Sequence, residues 1–324
     1  MCEAGVVGLR CCFAAAIVLA GLNGAVAQTW PAKPIKAFIP FSAGSATDVI
    51  PRVVFEELST QLGQPIVVEN RGGAGGTIGV GAVVAAEPDG YTILANSSAH
   101  TIAPWIVPNL SYNVATDLRA VIPLGKNANV LVVSPAKGWR TLQELVAAAK
   151  AKPGTFNYGS AGVGTATHIS AERLRLAAKF EATHIPYKGG PEALADVLAG
   201  RIDFYYCPIS TAIPLVRDGR LLALAVSTPT RADALSEVPT SLEAGYPDSD
   251  YTIWYGVFVP AKTSQAIVDT FYAAAVKALQ SPTTRAKLTQ LAVDPLPMTP
   301  AEFDKRVADE IVANEKLIKA AGIK

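Results

Sequence analysis

Two stretches of small residues stand where a β-rich run gives way to a helical pattern. Phe41-Ser42-Ala43-Gly44-Ser45-Ala46-Thr47-Asp48 follows the run that begins at Ile35, and Gly159-Ser160-Ala161-Gly162-Val163-Gly164-Thr165 follows the run that begins at Phe156. A helix N-terminus leaves backbone N–H groups unpaired and carries about half a positive charge. Small residues let a ligand reach that backbone, so strand, small loop and helix together make an anion site. Neither loop contains Lys or Arg, which leaves backbone N–H groups and the hydroxyls of Ser42, Ser45, Thr47, Ser160 and Thr165 as donors. One such loop is a weak sign, because tight turns also select glycine. Two of them, one in each of two similar α/β lobes, point to an anion held in a cleft. The plainer reading is that Ser45 or Thr47, and Thr165 or Thr167, cap their helices. For Asp48 the plainer role, a carboxylate that suits the helix dipole, is preferred over an acceptor for a ligand ammonium, hydroxyl or bridging water. A third candidate is Asn96-Ser97-Ser98-Ala99-His100, at the C-terminal end of a predicted strand, the edge where ligands gather in open α/β sheets.

Enzyme readings fit less well. Tyr158-Gly159-Ser160-Ala161-Gly162 places its first glycine one position late for a G-x-S-x-G elbow. Gly162-Val163-Gly164-Thr165-Ala166-Thr167 lacks the third glycine of a dinucleotide loop, Gly72-Gly73-Ala74-Gly75-Gly76 breaks the same spacing, and no G-K-[ST] follows any glycine loop. The three histidines, His100, His168 and His184, form no i, i+4 pair, and no metal or cofactor is expected. A hydrolase would have to pair Ser160 with His168 or His184.

The elements that position these loops read as α/β. Short apolar runs predict strands at Ile35–Phe41, Ile66–Glu69, Thr92–Ala95, Val130–Ser134, Phe156–Gly159, Thr183–Pro186, Asp203–Cys207, Leu222–Ser227 and Tyr255–Val259. Thr141-Leu142-Gln143-Glu144 is a capping box whose helix ends at Pro153-Gly154, and Pro191 sits in the first turn of a helix closing at Gly200. Ile267, Phe271, Ala275 and Leu279 share a helix face, and Thr299-Pro300-Ala301-Glu302 opens a C-terminal helix with Phe303, Val307, Ile311 and Ile318 inward. These faces are core surface.

The 324 residues suggest about two domains, and half of them are hydrophobic. A formal net charge of +1 gives no electrostatic footprint for nucleic acid. Arg10, the apolar run Cys11 to Leu22 and Ala25-Val26-Ala27 read as a secretory signal over residues 1–27, cleaved before Gln28. A transmembrane anchor is the alternative, but the run is short of the ~20 residues a span needs. Three of the four cysteines lie in that signal, so Cys207 alone remains and cannot form an internal disulfide.

Ordered blocks along the mature chain resemble the Bug family, the periplasmic solute-binding proteins of tripartite tricarboxylate transporters. They include Trp30-Pro31-Ala32-Lys33-Pro34-Ile35, Pro40 to Asp48, Val68-Glu69-Asn70-Arg71, Pro88-Asp89-Gly90-Tyr91-Thr92, Tyr158 to Thr165 with His168 and Glu172, His184 to Gly189, Leu198 to Asp203, and Trp254-Tyr255-Gly256. The resemblance implies a type II periplasmic-binding-protein fold, two α/β lobes joined by crossover strands around a ligand cleft. On this reading lobe 1 is 28–130 plus 226–324 and lobe 2 is 131–225. The implied ligands are carboxylates: dicarboxylates, tricarboxylates, acidic amino acids or aromatic acids. Phe41, Ala43, Gly44, Ser45 and Asp48 inherit one jaw; Ser160, Ala161, Gly164, Thr165 and His168 inherit the other. Ser97 is a candidate from the third loop, and Asp203 sits at a matching position near the cleft. Ser45 departs from the family pattern, which has a second glycine after Gly44. The expected protein is a periplasmic monomer that closes on its ligand and docks on two integral membrane transporter subunits. The rival readings are a ligand sensor for a membrane receptor and an exported hydrolase.

Overall fold

The computed structural model describes residues 30–323. The expected signal over 1–27 lies outside the described residues. Each predicted apolar run contains a strand. In chain order the elements are β1 (Ile35–Ile39), α1 (Ala46–Leu62), β2 (Ile66–Asn70), α2 (Thr77–Val84), β3 (Thr92–Ser97), the short α3 (Ala103–Ile106), β4 (Leu118–Val133), α4 (Leu142–Ala151), β5 (Asn157–Ser160), α5 (Ala166–Ala178), β6 (Thr183–Pro186), α6 (Gly190–Leu198), β7 (Phe204–Pro208), α7 (Ile209–Arg217), β8 (Leu222–Val226), β9 (Thr252–Pro260), α8 (Gln265–Gln280), α9 (Pro282–Gln290) and α10 (Pro300–Ala321). The strand order is β2-β1-β3-β9-β4-β7-β5-β6, with β8 also paired to β4.

β4 is where one half of the molecule becomes the other. It pairs antiparallel with β9 from Leu118 as far as Ala128, opposite Thr252. From Asn129 onward it pairs instead with β7, and from Val130 with β8. The sequence predicts a strand only at Val130–Ser134, because Pro123, Gly125, Lys126 and Asn127 interrupt the apolar pattern upstream. The strand tolerates them through register shifts between Ala120 and Ile122 and between Pro123 and Gly125. Bulges of this kind are where Pro and Gly fit in a sheet. At the change of partner, Asn129 N donates to Ser227 Oγ, Ser227 N donates to Asn129 O, and Tyr251 N donates to Ser227 O.

Each half buries its sheet on both faces, which is why the strands read as continuous apolar runs. Ile50, Val54 and Leu58 of α1 and Phe271 and Ala275 of α8 cover one face of β1, β3 and β9, while Val80, Val83, Phe303 and Val307 of α2 and α10 cover the other. In the second half, Leu145, Leu174 and Phe204 pack on one face and Val130, Val197, Tyr205 and Ile213 on the other. The predicted capping box forms at Thr141 with Glu144, and the predicted C-terminal helix opens on another, Thr299 with Glu302. No helix among the described residues is long and apolar enough to cross a membrane.

Candidate functional site

The two small-residue loops face each other across a cleft of about 230 Å³. Phe41, Gly44, Ser45, Ala46 and Thr47 line it from the first loop and the start of α1; Ala161, Thr165, Ala166 and Thr167 line it from the second loop and the start of α5. Ser97 closes the cleft from β3. The N–H groups of Ala46, Thr47, Ala166 and Thr167 belong to first helical turns and have no intrahelical acceptor.

The loops match position for position, as Gly44-Ser45-Ala46-Thr47-Asp48 and Gly164-Thr165-Ala166-Thr167-His168. In each, a glycine with positive φ, +79° for Gly44 and +74° for Gly164, turns the chain into an extended N-cap residue. In each, the side chain four residues on reaches back to that glycine. Gly44 N donates to Asp48 Oδ2 at 2.9 Å, and Gly164 N donates to His168 Nδ1 at 3.1 Å. Sequence reading finds the two loops but misses this register, because Asp and His differ in shape and charge and here share only the role of accepting one hydrogen bond from the glycine N–H.

Asp48 and His168 therefore brace the loops from behind and do not line the cleft. Asp48 is buried, and its Oδ1 accepts from Arg52 Nε at 2.7 Å and from Asn70 Nδ2 at 2.9 Å. Asn70 Nδ2 also donates to Phe41 O, so one carboxylate and one amide hold the first loop at both ends. In the second loop Thr165 Oγ1 caps α5 at His168 N and donates to Gly162 O, and Thr167 Oγ1 accepts from Ala161 N. Ser160 is fully buried behind Ala161, with its hydroxyl shared between Gly162 O and His184 Nε2 at 2.6 Å. The His184 ring stacks on His168 with centroids 3.8 Å apart. Burial first, then the neighbouring His184 and Arg175, pushes the His168 imidazole down to about 3. Burial pushes His184 down to about 4. Both are neutral at physiological pH, as His168 must be to accept at Nδ1.

The remaining candidates lie elsewhere. Gly164 presents its missing side chain to α3, where an added Cβ would fall 2.0 Å from Ile106 Cδ1. Ala43 is exposed beside the first loop's turn. The Asp203 carboxylate is engaged with Lys137 Nζ at 2.7 Å and Asn157 N at 2.7 Å. Tyr205 of β7, which sequence reading leaves open with Tyr187 and Tyr206 between the far end of the pocket and the core, lines the cleft. Residues that sequence reading did not place complete the lining: Gly190, Pro191 and Leu194 at the start of α6, Pro208 of β7, Thr211 of α7 and Ile253 of β9. No group of three His, Cys, Asp or Glu among the described residues is placed to hold a metal.

Ser45 Oγ and Tyr205 Oη, both buried and both lining the cleft, have no hydrogen-bond partner within 3.5 Å among the described residues. The Thr167 hydroxyl lies beside Tyr205 and works to lower its phenol's pKa, while its own short bonds go to Ala161 N and Thr165 Oγ1. Buried polar atoms are rarely left unpaired without reason, and here both point to a ligand.

The halves also touch directly around the cleft. Ser42 Oγ donates to Lys188 O at 3.4 Å. A Cβ on Gly189 would lie 2.7 Å from Ser42 Oγ, and one on Gly75 would lie 2.9 Å from Val163 O. Backbone without side chains is what allows this approach.

Comparison with known proteins agrees with this geometry. The family described as tripartite tricarboxylate transporter family receptor (TctC) matches residues 50–323. BugT of Bordetella pertussis is 34% identical over 311 residues, 95% of each chain. The structure of R. palustris Rpa4515 with adipate has a TM-score of 0.87 at 30% identity, covering 91% of this chain and 99% of that one. MatC from Rhodopseudomonas palustris, with bound malate, has a TM-score of 0.85 at 30% identity, covering 89% of this chain and all (100%) of that one. With its two-half α/β architecture and facing loops, this chain belongs to the TctC family of solute-binding receptors.

Proposed function

We propose that the chain captures a small carboxylate in the periplasm by closure of its two halves and delivers it to the membrane subunits of a tripartite transporter. The observation that carries this reading is the pair of matched loops. They bring four unpaired N–H groups and two helix N-termini to one small cleft. Such a site offers positive potential without a side-chain cation. That relatives carry adipate and malate supports the carboxylate class.

Closure follows from the division of donors. An acid bound to the first loop alone meets Ala46 and Thr47, and the donors of Ala166 and Thr167 reach it only when the halves come together. Ligand contacts made in the closed state alone are what shift a clamp toward it. We place the moving lobes at 28–130 plus 226–324 and 131–225, with the change of pairing at Ala128 and Asn129 as the bending point of β4.

The test is thermal unfolding of the mature chain against mono-, di- and tricarboxylates, amino acids and aromatic acids. Ligand at 100 times its Kd adds ~2.7 kcal/mol, a shift of several degrees at about 2–4 °C per kcal/mol. A flat panel on folded, ligand-free protein sinks the carboxylate reading. Uptake in a strain lacking the chain tests delivery: unchanged uptake of the identified acid points to a sensor instead.

A further inference from the structure

We propose that the cleft selects acids with a single carboxylate, and that Glu192 at the start of α6 is the residue that disfavours a second one. This narrows, and rests on, the carboxylate reading above.

The donors of the two loops serve one anion. Beyond them the lining is Ser97, Pro191, Leu194, Pro208, Thr211 and Ile253, with the Tyr205 hydroxyl among them, and no Lys, Arg or His among the described residues lines the cleft. A second carboxylate in this environment would be desolvated without a countercharge, which is far costlier than burying a hydroxyl or a methyl. The helix N-terminus on that side gives little help. Pro191 in the first turn of α6 has no N–H to offer.

Glu192 reinforces the exclusion. Its Oε2 lies 3.1 Å from the position a Cβ would take on Gly189, the N-cap of α6. The carboxylate thus already occupies the positive end of that helix. The next residue, Gly190, lines the cleft, and a Cβ there would lie 3.2 Å from Tyr205 Oη. Glu192 makes no ion pair among the described residues, whereas the other carboxylate near the loops, Asp48, is neutralised by Arg52. The negative charge of Glu192 is felt at Tyr205, whose phenol burial first, and Glu192 among lesser causes, holds well above its ordinary value. Lys188 lies with Pro186 and Tyr187 in a neighbouring groove that shares Phe41 and Ala161 with the cleft, and it does not line the cleft itself.

Tyr205 Oη and Ser45 Oγ supply what a neutral group needs. Each is a buried hydroxyl without a partner, able to donate one hydrogen bond and accept others. A hydroxyl or carbonyl on the ligand satisfies Tyr205 with no charge to desolvate.

The experiment is calorimetric titration of the purified mature chain with two matched series: hexanoate, 6-hydroxyhexanoate, 6-aminohexanoate and adipate, and benzoate, 4-hydroxybenzoate and terephthalate. The expected result is that a neutral-ended member of at least one series binds ten times or more tighter than its dicarboxylate. Glu192→Gln is expected to tighten the dicarboxylate about three- to fivefold at low salt and to leave the neutral-ended acid within twofold. Because Glu192 is exposed, that gain should shrink in ~0.5 M salt. The inference is overturned if a dicarboxylate binds as tightly as its neutral-ended partner, or if Glu192→Gln shifts all acids alike. If no acid in either series binds folded protein, the carboxylate reading itself falls, a result distinct from binding without preference.

Discussion

At the scale of single residues, the site separates the groups that meet the ligand from those that hold them. Ser45 sits at the N-cap of α1, where serine ordinarily accepts from the helix, yet its side chain makes no cap hydrogen bond. Replacing a working cap by alanine costs about 1 kcal/mol. Ser45→Ala should therefore leave the melting temperature of the free protein unchanged or slightly raised, since it removes an unpaired buried hydroxyl, while weakening ligand binding about five- to tenfold. A clear drop in stability without ligand would show that the hydroxyl has a structural partner after all. Asp48 is expected to behave in the opposite way. Its carboxylate accepts from Gly44, Arg52 and Asn70, and hydrogen bonds to charged groups are worth about 1.5–3 kcal/mol each. Asp48→Ala should destabilise by roughly 2–4 kcal/mol and weaken every acid equally, whereas Asp48→Asn keeps an acceptor and should recover part of both losses. Denaturant unfolding and titration with one acid measure the two effects.

At the scale of elements, the cleft depends on how closely loops from different halves approach. Gly189 has φ −169°, an extended conformation open to any residue, so alanine there carries no backbone strain. It would nevertheless press on Ser42 Oγ and Cβ, at 2.7 and 2.9 Å. Gly189→Ala should hold the halves apart and weaken binding tenfold or more at unchanged stability, and Ser42→Gly in the same chain should restore much of the loss. Additive losses in that double-mutant cycle would mean the two residues do not meet. Much of this architecture is legible in the sequence. The apolar runs locate the strands because strands buried on both faces are apolar throughout, and the box at Thr141 and the helix start at Thr299 form as their spacing requires. The first part of β4 is hidden because Pro123 and Gly125 are read as breakers, while the sheet absorbs them as bulges. The loops are legible as helix-start anion sites, and the braces behind them are not. Whether a side chain such as Asp48 or His168 turns outward to a ligand or back to its own loop is decided by Asn70 and His184, which lie far off in sequence, together with Arg52 one helical turn away. Tyr205 is half legible: the sequence leaves it open between the far end of the pocket and the core, and the arrival of Gly190 and Thr167 around its hydroxyl makes it part of the cleft.

At the scale of the whole molecule, the three histidines of the chain make its stability sensitive to acid while leaving the site insulated from it. Burial holds His100 down to about 4, and His168 and His184 stand at about 3 and about 4. An unfolded histidine takes up its proton near 6.5. Below that pH the unfolded chain therefore binds more protons than the folded one, so stability falls as pH drops and is fully regained above it. Each histidine contributes up to about 1.4 kcal/mol per pH unit in this window. Burial raises the Asp304 and Glu310 carboxyls, which works in the opposite sense at lower pH, so the window is best read between pH 5.5 and 7. Denaturant midpoints should fall steadily across it. His184→Gln, which keeps a polar partner for Ser160, should flatten the slope by about one proton's worth. Ligand affinity should stay level over the same range, because His168 remains neutral and keeps its bond to Gly164 N until far more acid pH. A parallel loss of affinity and stability between pH 7 and 5.5 would mean that a histidine titrates within the binding reaction, and that the second loop is held by something other than a neutral imidazole.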